Sequence, residues 1–253
     1  MTEEDVPDYL QLVNQLHDDF STFQEGRRQV HLKKHVPHPR FAVLYGLACQ
    51  TDMLSREALP LLDTDDPRPR LAAVPIVRSV YETGLTAQWV AGTPLAEYRI
   101  AKKHRDVQRE VTTALRLSAN PLFREAAEHR EDRYDESQFD MPDGTPPSAG
   151  VKAICESLEG GNDLYLIYRM LCGNTHPGVE AIDVWLNPNE NSGVALRPYP
   201  REPWREALDA VCLWGVLWAS VALDDVVKNS PRRNLLNRTA GRSQAVLRLS
   251  PTR

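Results

Sequence analysis

Between Asp209 and Asp224 the chain runs AVCLWGVLWASVAL, fourteen residues without a charge. A helix that spans a bilayer needs roughly 20 apolar residues, and this stretch falls short. It predicts instead a helix buried on nearly all sides, with the other elements arranged around it. Composition agrees, since 42% hydrophobic and 26% charged residues are ordinary for a globular chain. The 253 residues exceed the commonest domain length yet fit one fold. Four cysteines at 49, 155, 172 and 212 form no CxxC pair, which excludes a zinc ribbon or a thioredoxin-like motif. The start, MTEEDVPDYL, is acidic where an export signal is basic and then apolar. The expectation is a cytoplasmic protein with free thiols and no membrane segment.

The dominant period along the chain is helical. Tyr9, Leu12, Val13, Leu16, Phe20 and Phe23 recur at three- and four-residue steps and form one apolar stripe on an acidic helix. A basic, histidine-bearing connector follows, then a second helix from about Arg40 to Leu59, ending near Pro60. A third lies between the proline-rich DTDDPRPR and Gly92. Thr93-Pro94 reads as a cap followed by a first-turn proline and predicts a fourth helix through about Leu117; Asn120-Pro121 repeats the signature for a fifth. Residues 131–147 are acidic, proline-bearing and aperiodic, so they predict a loop. Ser148–Leu158 predicts a sixth helix stopped by Gly160-Gly161, and Asn162 caps a seventh through about Cys172. AIDVWL and VALRPY around NPNENSG suggest a small β-hairpin near 181–199, and Trp204–Val227 is the last long helix. The prediction is an all-α bundle of about seven to eight helices with that hairpin. It forms a single domain over 1–227, followed by a basic tail over 228–253.

Two constellations carry candidate chemistry. On the third helix Arg78 and Glu82 fall among Leu71, Val74, Tyr81, Leu85 and Trp89 at 100° per residue. Unpaired ions among such neighbours cost several kcal/mol each. Either the two form an i,i+4 salt bridge that pins the helix, or Arg78 offers its fork of donors to an anion while Glu82 orients it or acts as a base. The second constellation is YRMLCGNTHPG, Tyr168 to Gly178, where Gly173, Asn174 and Pro177 break a helix and leave His176 at its exit. That histidine either caps the last carbonyls or, with Arg169 in the spacing Arg-x6-His, moves a proton beside a bound phosphate. An arginine and a histidine are the minimum equipment for metal-free RNA cleavage through the ribose 2′-hydroxyl.

RSVYE and YRMLCGNTHPG resemble the pattern of a bacterial all-helical family of unknown function. In that family a helix with Arg-x3-Glu precedes Tyr-x-x-Leu-Ser-x3-His. Arg78, Glu82, Tyr168, Leu171 and His176 match, and Cys172 stands where Ser is usual. The resemblance spans roughly residues 40–225. More distantly the chain is similar to the HEPN (higher eukaryotes and prokaryotes nucleotide-binding) superfamily, helical bundles among which many are dimeric, metal-independent ribonucleases of defence or toxin systems with an Arg-x4-6-His motif. That likeness implies His176 as general acid/base and Arg169 or Arg78 on the phosphate. Glu82 would orient the arginine, Tyr168 and Asn174 would line the site, and the active form would be a homodimer. Arg169 departs from the superfamily in being followed by Met170 rather than a polar residue, and Gly173 interrupts the spacer. The other reading is a non-catalytic module that binds a small anion, nucleotide or partner protein through the same pocket.

No Walker A loop, GxSxG elbow, GxGxxG turn or HExxH helix is present, so no cofactor is expected. His31, His35 and His38 could be weighed as metal ligands, but Lys33, Lys34, Pro37 and Pro39 favour a basic linker, and no metal is expected. Asp224-Asp225 reads as a solvated helix end. From Lys228 onward there are seven basic residues and no acid, so the net charge of −5 is the sum of a body at −12 and an end at +7. The tail predicts either docking on the acidic body or an arm for RNA or another polyanion.

Overall fold

The computed structural model describes residues 7–26, 29–129, 141–147, 149–176, 178–188, 194–201 and 205–252. Within them lie ten helices and one two-stranded hairpin, so the chain is an all-α bundle with a small β appendage. The long helices are α1 (Tyr9–Glu25), α2 (His38–Leu62), α3 (Pro67–Gly92), α4 (Ala96–Arg116) and α9 (Arg205–Val226). Shorter ones are α5 (Pro121–Glu128), α6 (Val151–Glu156), α7 (Gly161–Gly173), α8 (Val179–Asp183) and α10 (Arg233–Ser243). Strands β1 (Leu186–Pro188) and β2 (Val194–Leu196) pair antiparallel, with Asn187 opposite Ala195. The acidic segment falls mostly outside the described residues.

Local rules account for most element starts. Asp8 accepts a hydrogen bond from Gln11 N at 2.8 Å and opens α1, whose stripe from Leu12 to Phe23 is buried. Asp66 does the same for α3 through Arg68 N at 2.9 Å, followed by Pro67 in the first turn. Asn120 caps α5 through Leu122 N at 3.0 Å. Elsewhere tertiary packing overrides the local signal. Pro60 lies inside α2, which continues to Leu62 because the Arg70 guanidinium supplies a donor to the Leu62 carbonyl at the helix end. Thr93 closes α3 rather than opening α4, and Leu95 turns the chain in the left-handed region (φ 62°). Gly160 (φ 74°), and not Asn162, precedes α7. Ala181–Asp183 belongs to α8 and Val184-Trp185 to a turn, so of the expected first β-run only Leu186 is extended.

The core is a layer of α2, α3 and α9, with α1 and α7 against its flanks. Helices α3 and α9 cross at Gly84 and Gly215. A Cβ on Gly84 would lie 2.4 Å from Gly215 O, and one on Gly215 would lie 2.6 Å from Val80 O. The two backbones are therefore in contact, and Leu85, Val80, Leu213 and Leu217 close around the crossing as fully buried side chains. Ala207–Val226 is long and apolar enough to cross a membrane, but 83% of its most apolar window is buried inside the protein. Polar staples finish the layer. Arg70 is buried and donates to Asp209 Oδ1 at 2.9 Å, tying α3 to α9. Gln88 donates to Trp218 O at 2.8 Å and accepts from Leu249 N at 3.0 Å.

The C-terminal segment is folded onto the body. Asp224 is buried, accepts Arg232 N at 3.0 Å and pairs with Arg233. Asp225 pairs with Arg233 and Arg248, and Arg232 reaches Asp19 on α1. The expectation of solvated carboxylates at 224–225 is thus corrected: they organise the turn into α10. The histidine connector is also anchored, through Lys33 N to Val226 O at 3.0 Å and Lys228 N to His31 O at 2.8 Å.

His17 on α1 is buried and bonds Ser55 Oγ at 2.8 Å. Burial lowers its pKa to about 4, against the smaller opposing field of Asp52 at 3.9 Å, so the ring is neutral and the pair is not ionic. An unfolded imidazole takes a proton below about 6.5, the buried one only near 4. The unfolded state then binds more protons, and stability falls as pH drops through that window. Wild type is expected to lose roughly 1–3 kcal/mol between pH 7 and 4.5 from this group. The loss should be absent in His17→Gln when urea midpoints are compared at both pH values. Gly215→Ala forces backbone apart at the α3–α9 crossing and is expected to cost about 3 kcal/mol or more, read from urea unfolding; Gly46→Ala, in open space, is the control with no such cost.

Candidate functional site

Helix α7 presents Leu164, Tyr168, Leu171 and Cys172 to the bundle, the i, i+4, i+7, i+8 pattern of one helical face. Two residues past its end, Thr175 returns to that face because its N–H and its hydroxyl both donate to Cys172 O, at 3.0 and 2.9 Å. Arg78 on α3 meets this face. Its Nη2 donates to Tyr168 Oη at 2.8 Å and its Nη1 to Thr175 Oγ1 at 3.5 Å. The guanidinium also lies 5.1 Å from the centre of the Tyr168 ring, a cation–π contact. One turn along α3, Tyr81 donates to Leu164 O at 3.0 Å and fixes the two helices to each other.

The charges here are unusual for a half-buried arginine. Arg78 makes no ion pair among the described residues, and its Nε–H is hidden from water without an acceptor. Burial alone would lower the Arg78 pKa; the Tyr168 hydrogen bond and the fields of Cys172, Tyr168 and Glu82 outweigh it and raise the value. Burial also raises the Tyr168 pKa, opposed by the bond from Arg78 and helped by Cys172 and Glu82. The arginine is therefore a fixed cation and the phenol stays protonated at neutral pH. Glu82 acts on both through space, but the anticipated Arg78–Glu82 salt bridge is not formed. Arg78 reaches across to α7 instead, where the acceptors are neutral oxygens.

The remaining predicted residues lie around this pair. Asn174 caps α7, with its side chain 3.4 Å from Met170 O. His176 is exposed; its backbone N–H donates to Cys172 O at 3.2 Å, and its ring makes no contact with the arginine cluster among the described residues. Arg169 is exposed on the other side of α7 and joins neither. Arg78, Glu82 and Tyr168 are brought together, while Arg169 is not. No protein-family model, curated protein or solved structure matches this chain.

Thr175 was not anticipated as part of the site, although it stands seven residues, or two turns, after Tyr168. What concealed it was the break at Gly173, which makes a helical register look ended. No group of three or more metal-ligating side chains is assembled among the described residues. Chemically, the cluster offers a permanent positive charge, two hydroxyls and a neighbouring exposed imidazole. That set suits an oxyanion better than a cation or an apolar ligand. Tyr168→Phe strands a charged donor and is expected to cost about 1–2 kcal/mol. Arg78→Met/Tyr168→Phe should recover part of that cost, and a urea double-mutant cycle that gives additive losses would deny the coupling.

Proposed function

We propose that the chain is a helical module that binds a phosphate-type anion at the seam of α3 and α7, with Arg78 as the principal charge. The observation that carries this reading is the half-buried Arg78 guanidinium, held by neutral hydroxyls and not by a carboxylate. Buried or half-buried ions are ordinarily paired, and an arginine left without a counter-charge favours an anion supplied from outside. Tyr168 and Thr175 orient the fork, and Glu82 limits the affinity by its opposing field. The experiment is isothermal titration with inorganic phosphate and with adenosine monophosphate. Saturable binding lost in Arg78→Met and weakened in Tyr168→Phe supports the reading; binding that survives Arg78→Met removes it.

A second reading, metal-independent RNA cleavage of the kind the HEPN resemblance implies, is favoured by one specific feature. His176 directly follows Thr175, whose hydroxyl touches Arg78, and its ring is open to solvent. In that scheme His176 takes the proton from the attacking 2′-hydroxyl and returns one to the leaving oxygen, and Arg78, not Arg169, stabilises the phosphate. The arginines of the C-terminal segment lend it less than the charge count suggests. Arg232, Arg233 and Arg248 are committed to Asp19, Asp224 and Asp225, which among the described residues leaves Lys228, Arg238 and Arg242 on the surface for a polyanion. Cleavage of a mixed RNA panel in EDTA should fall at least about a hundredfold in His176→Ala, fall in Arg78→Met and persist in Arg169→Ala. Intact RNA under all conditions leaves only the binding reading. Sedimentation would report whether the active species is the homodimer that the resemblance implies.

A further inference from the structure

The tail residues that follow α10 do not merely neutralise the body. They form a strap across the α7–α9 side of the bundle, held by side-chain bonds from the core at Val246 and Leu249 and by backbone bonds at Ser250 and Thr252. Trp218 Nε1 donates to Val246 O at 2.8 Å, Leu249 N to Gln88 at 3.0 Å, and Thr252 N to Ser157 O at 2.9 Å. Glu159 N returns a bond to Ser250 O at 2.8 Å, and Leu158 bridges Pro251. Under this strap is a cleft of about 420 Å³, within the range of small-molecule sites. Its walls are Trp214 and Trp218 from α9, Leu164 from α7 and Val246 from the strap, and Glu159 and Asp163 stand at its mouth.

The chemistry of that lining is specific. The two indole rings are 6.2 Å apart at 31°, Trp218 buried and Trp214 half-buried. Both line the cleft, and an indole face carries a negative quadrupole. Glu159 and Asp163 are exposed and make no ion pair among the described residues. Arg248 also borders the cleft, but both of its hydrogen-bonded contacts, at 2.8 and 2.6 Å, go to Asp225, so its charge is already matched. Aromatic residues in the wall and a net negative mouth are complementary to a cation with an apolar body.

We propose that this cleft is a binding site for a small organic ammonium ion, the cationic head against the indole of Trp214 and the carboxylates of Glu159 and Asp163. The site is independent of the anion reading of Arg78. It opens at the N-terminal end of α7, whereas Arg78 meets the C-terminal end. An ion of the opposite sign is preferred, because no unmatched guanidinium faces the cleft.

Calorimetric titration with choline chloride, against potassium chloride at equal ionic strength, tests the assignment. Saturable binding of choline and none of potassium is expected. The neutral isostere 3,3-dimethyl-1-butanol, the same shape without the charge, should bind at least about tenfold more weakly. Trp214→Phe should perturb the site while keeping an aromatic wall, and the exposed pair Glu159→Gln/Asp163→Asn, which leaves the core untouched, should weaken choline by about tenfold. Arg78→Met should leave choline binding unchanged, so this result and that of phosphate titration stand or fall separately. No saturable choline binding by the folded wild type overturns the proposal. So does equal affinity for the neutral isostere, or full affinity in the carboxylate double variant.

Discussion

The backbone contact of Gly84 with Gly215 is the constraint on which the rest of the molecule depends. Two helices whose side chains interdigitate normally keep their axes 8–10 Å apart; glycine at both crossing positions lets the backbones touch. With α3 and α9 so close, Trp218 reaches Tyr81 at 5.6 Å and Gln88 reaches the Trp218 carbonyl. Tyr81 in turn bonds Leu164 and sets how α7 lies on the layer. Both candidate sites inherit their geometry from that chain of contacts. Arg78 stands one turn before Tyr81 on α3, and Trp214 precedes Gly215 on α9.

Around this layer, charge is matched by long-range pairing. Arg70 with Asp209, Arg40 with Glu97 at 2.9 Å, and Arg232 with Asp19 each join segments far apart in the chain. Such pairs contribute little net stability compared with apolar packing but are costly to break, because the partner left behind is desolvated. They therefore fix orientation. Arg78 departs from the pattern: its acceptors are phenol and alcohol oxygens, so a positive charge stays available on a face otherwise locked by packing. The cleft under the strap departs in the opposite sense, with carboxylates left unmatched beside aromatic rings.

Much of this architecture was legible beforehand, and for local reasons. The stripe from Leu12 to Phe23, the Asn120-Pro121 start and the buried helix between Asp209 and Asp224 follow from periodicity and capping, which act within a few residues. The same local grammar misplaced the start of α4, because Thr93 closes α3, which ends at Gly92 as expected, and Leu95 in the left-handed region takes the cap position. It misread Asp224-Asp225 too, since nothing nearby announces that Arg232, Arg233 and Arg248 fold back upon them. Of the site, Arg78 and Glu82 were identified by placing polar groups on an apolar face, and Tyr168 by the YRMLCGNTHPG motif. Thr175, Trp214 and the strap were not, because their roles arise only when the tail and α7 meet the core.

By itself, then, the sequence determined the helical class, the central position of α9 and the identity of the polar groups embedded in α3. Those properties depend on spacing along one helix, and spacing is written in the residues. Tertiary structure decided which partner each charge meets: that Arg78 bonds Tyr168, ninety residues away, and not Glu82 one turn along its own helix. It also decided that a basic tail becomes the wall of a cleft. Those outcomes hang on how closely helices cross, and that distance is set by the absence of a side chain at Gly84 and Gly215.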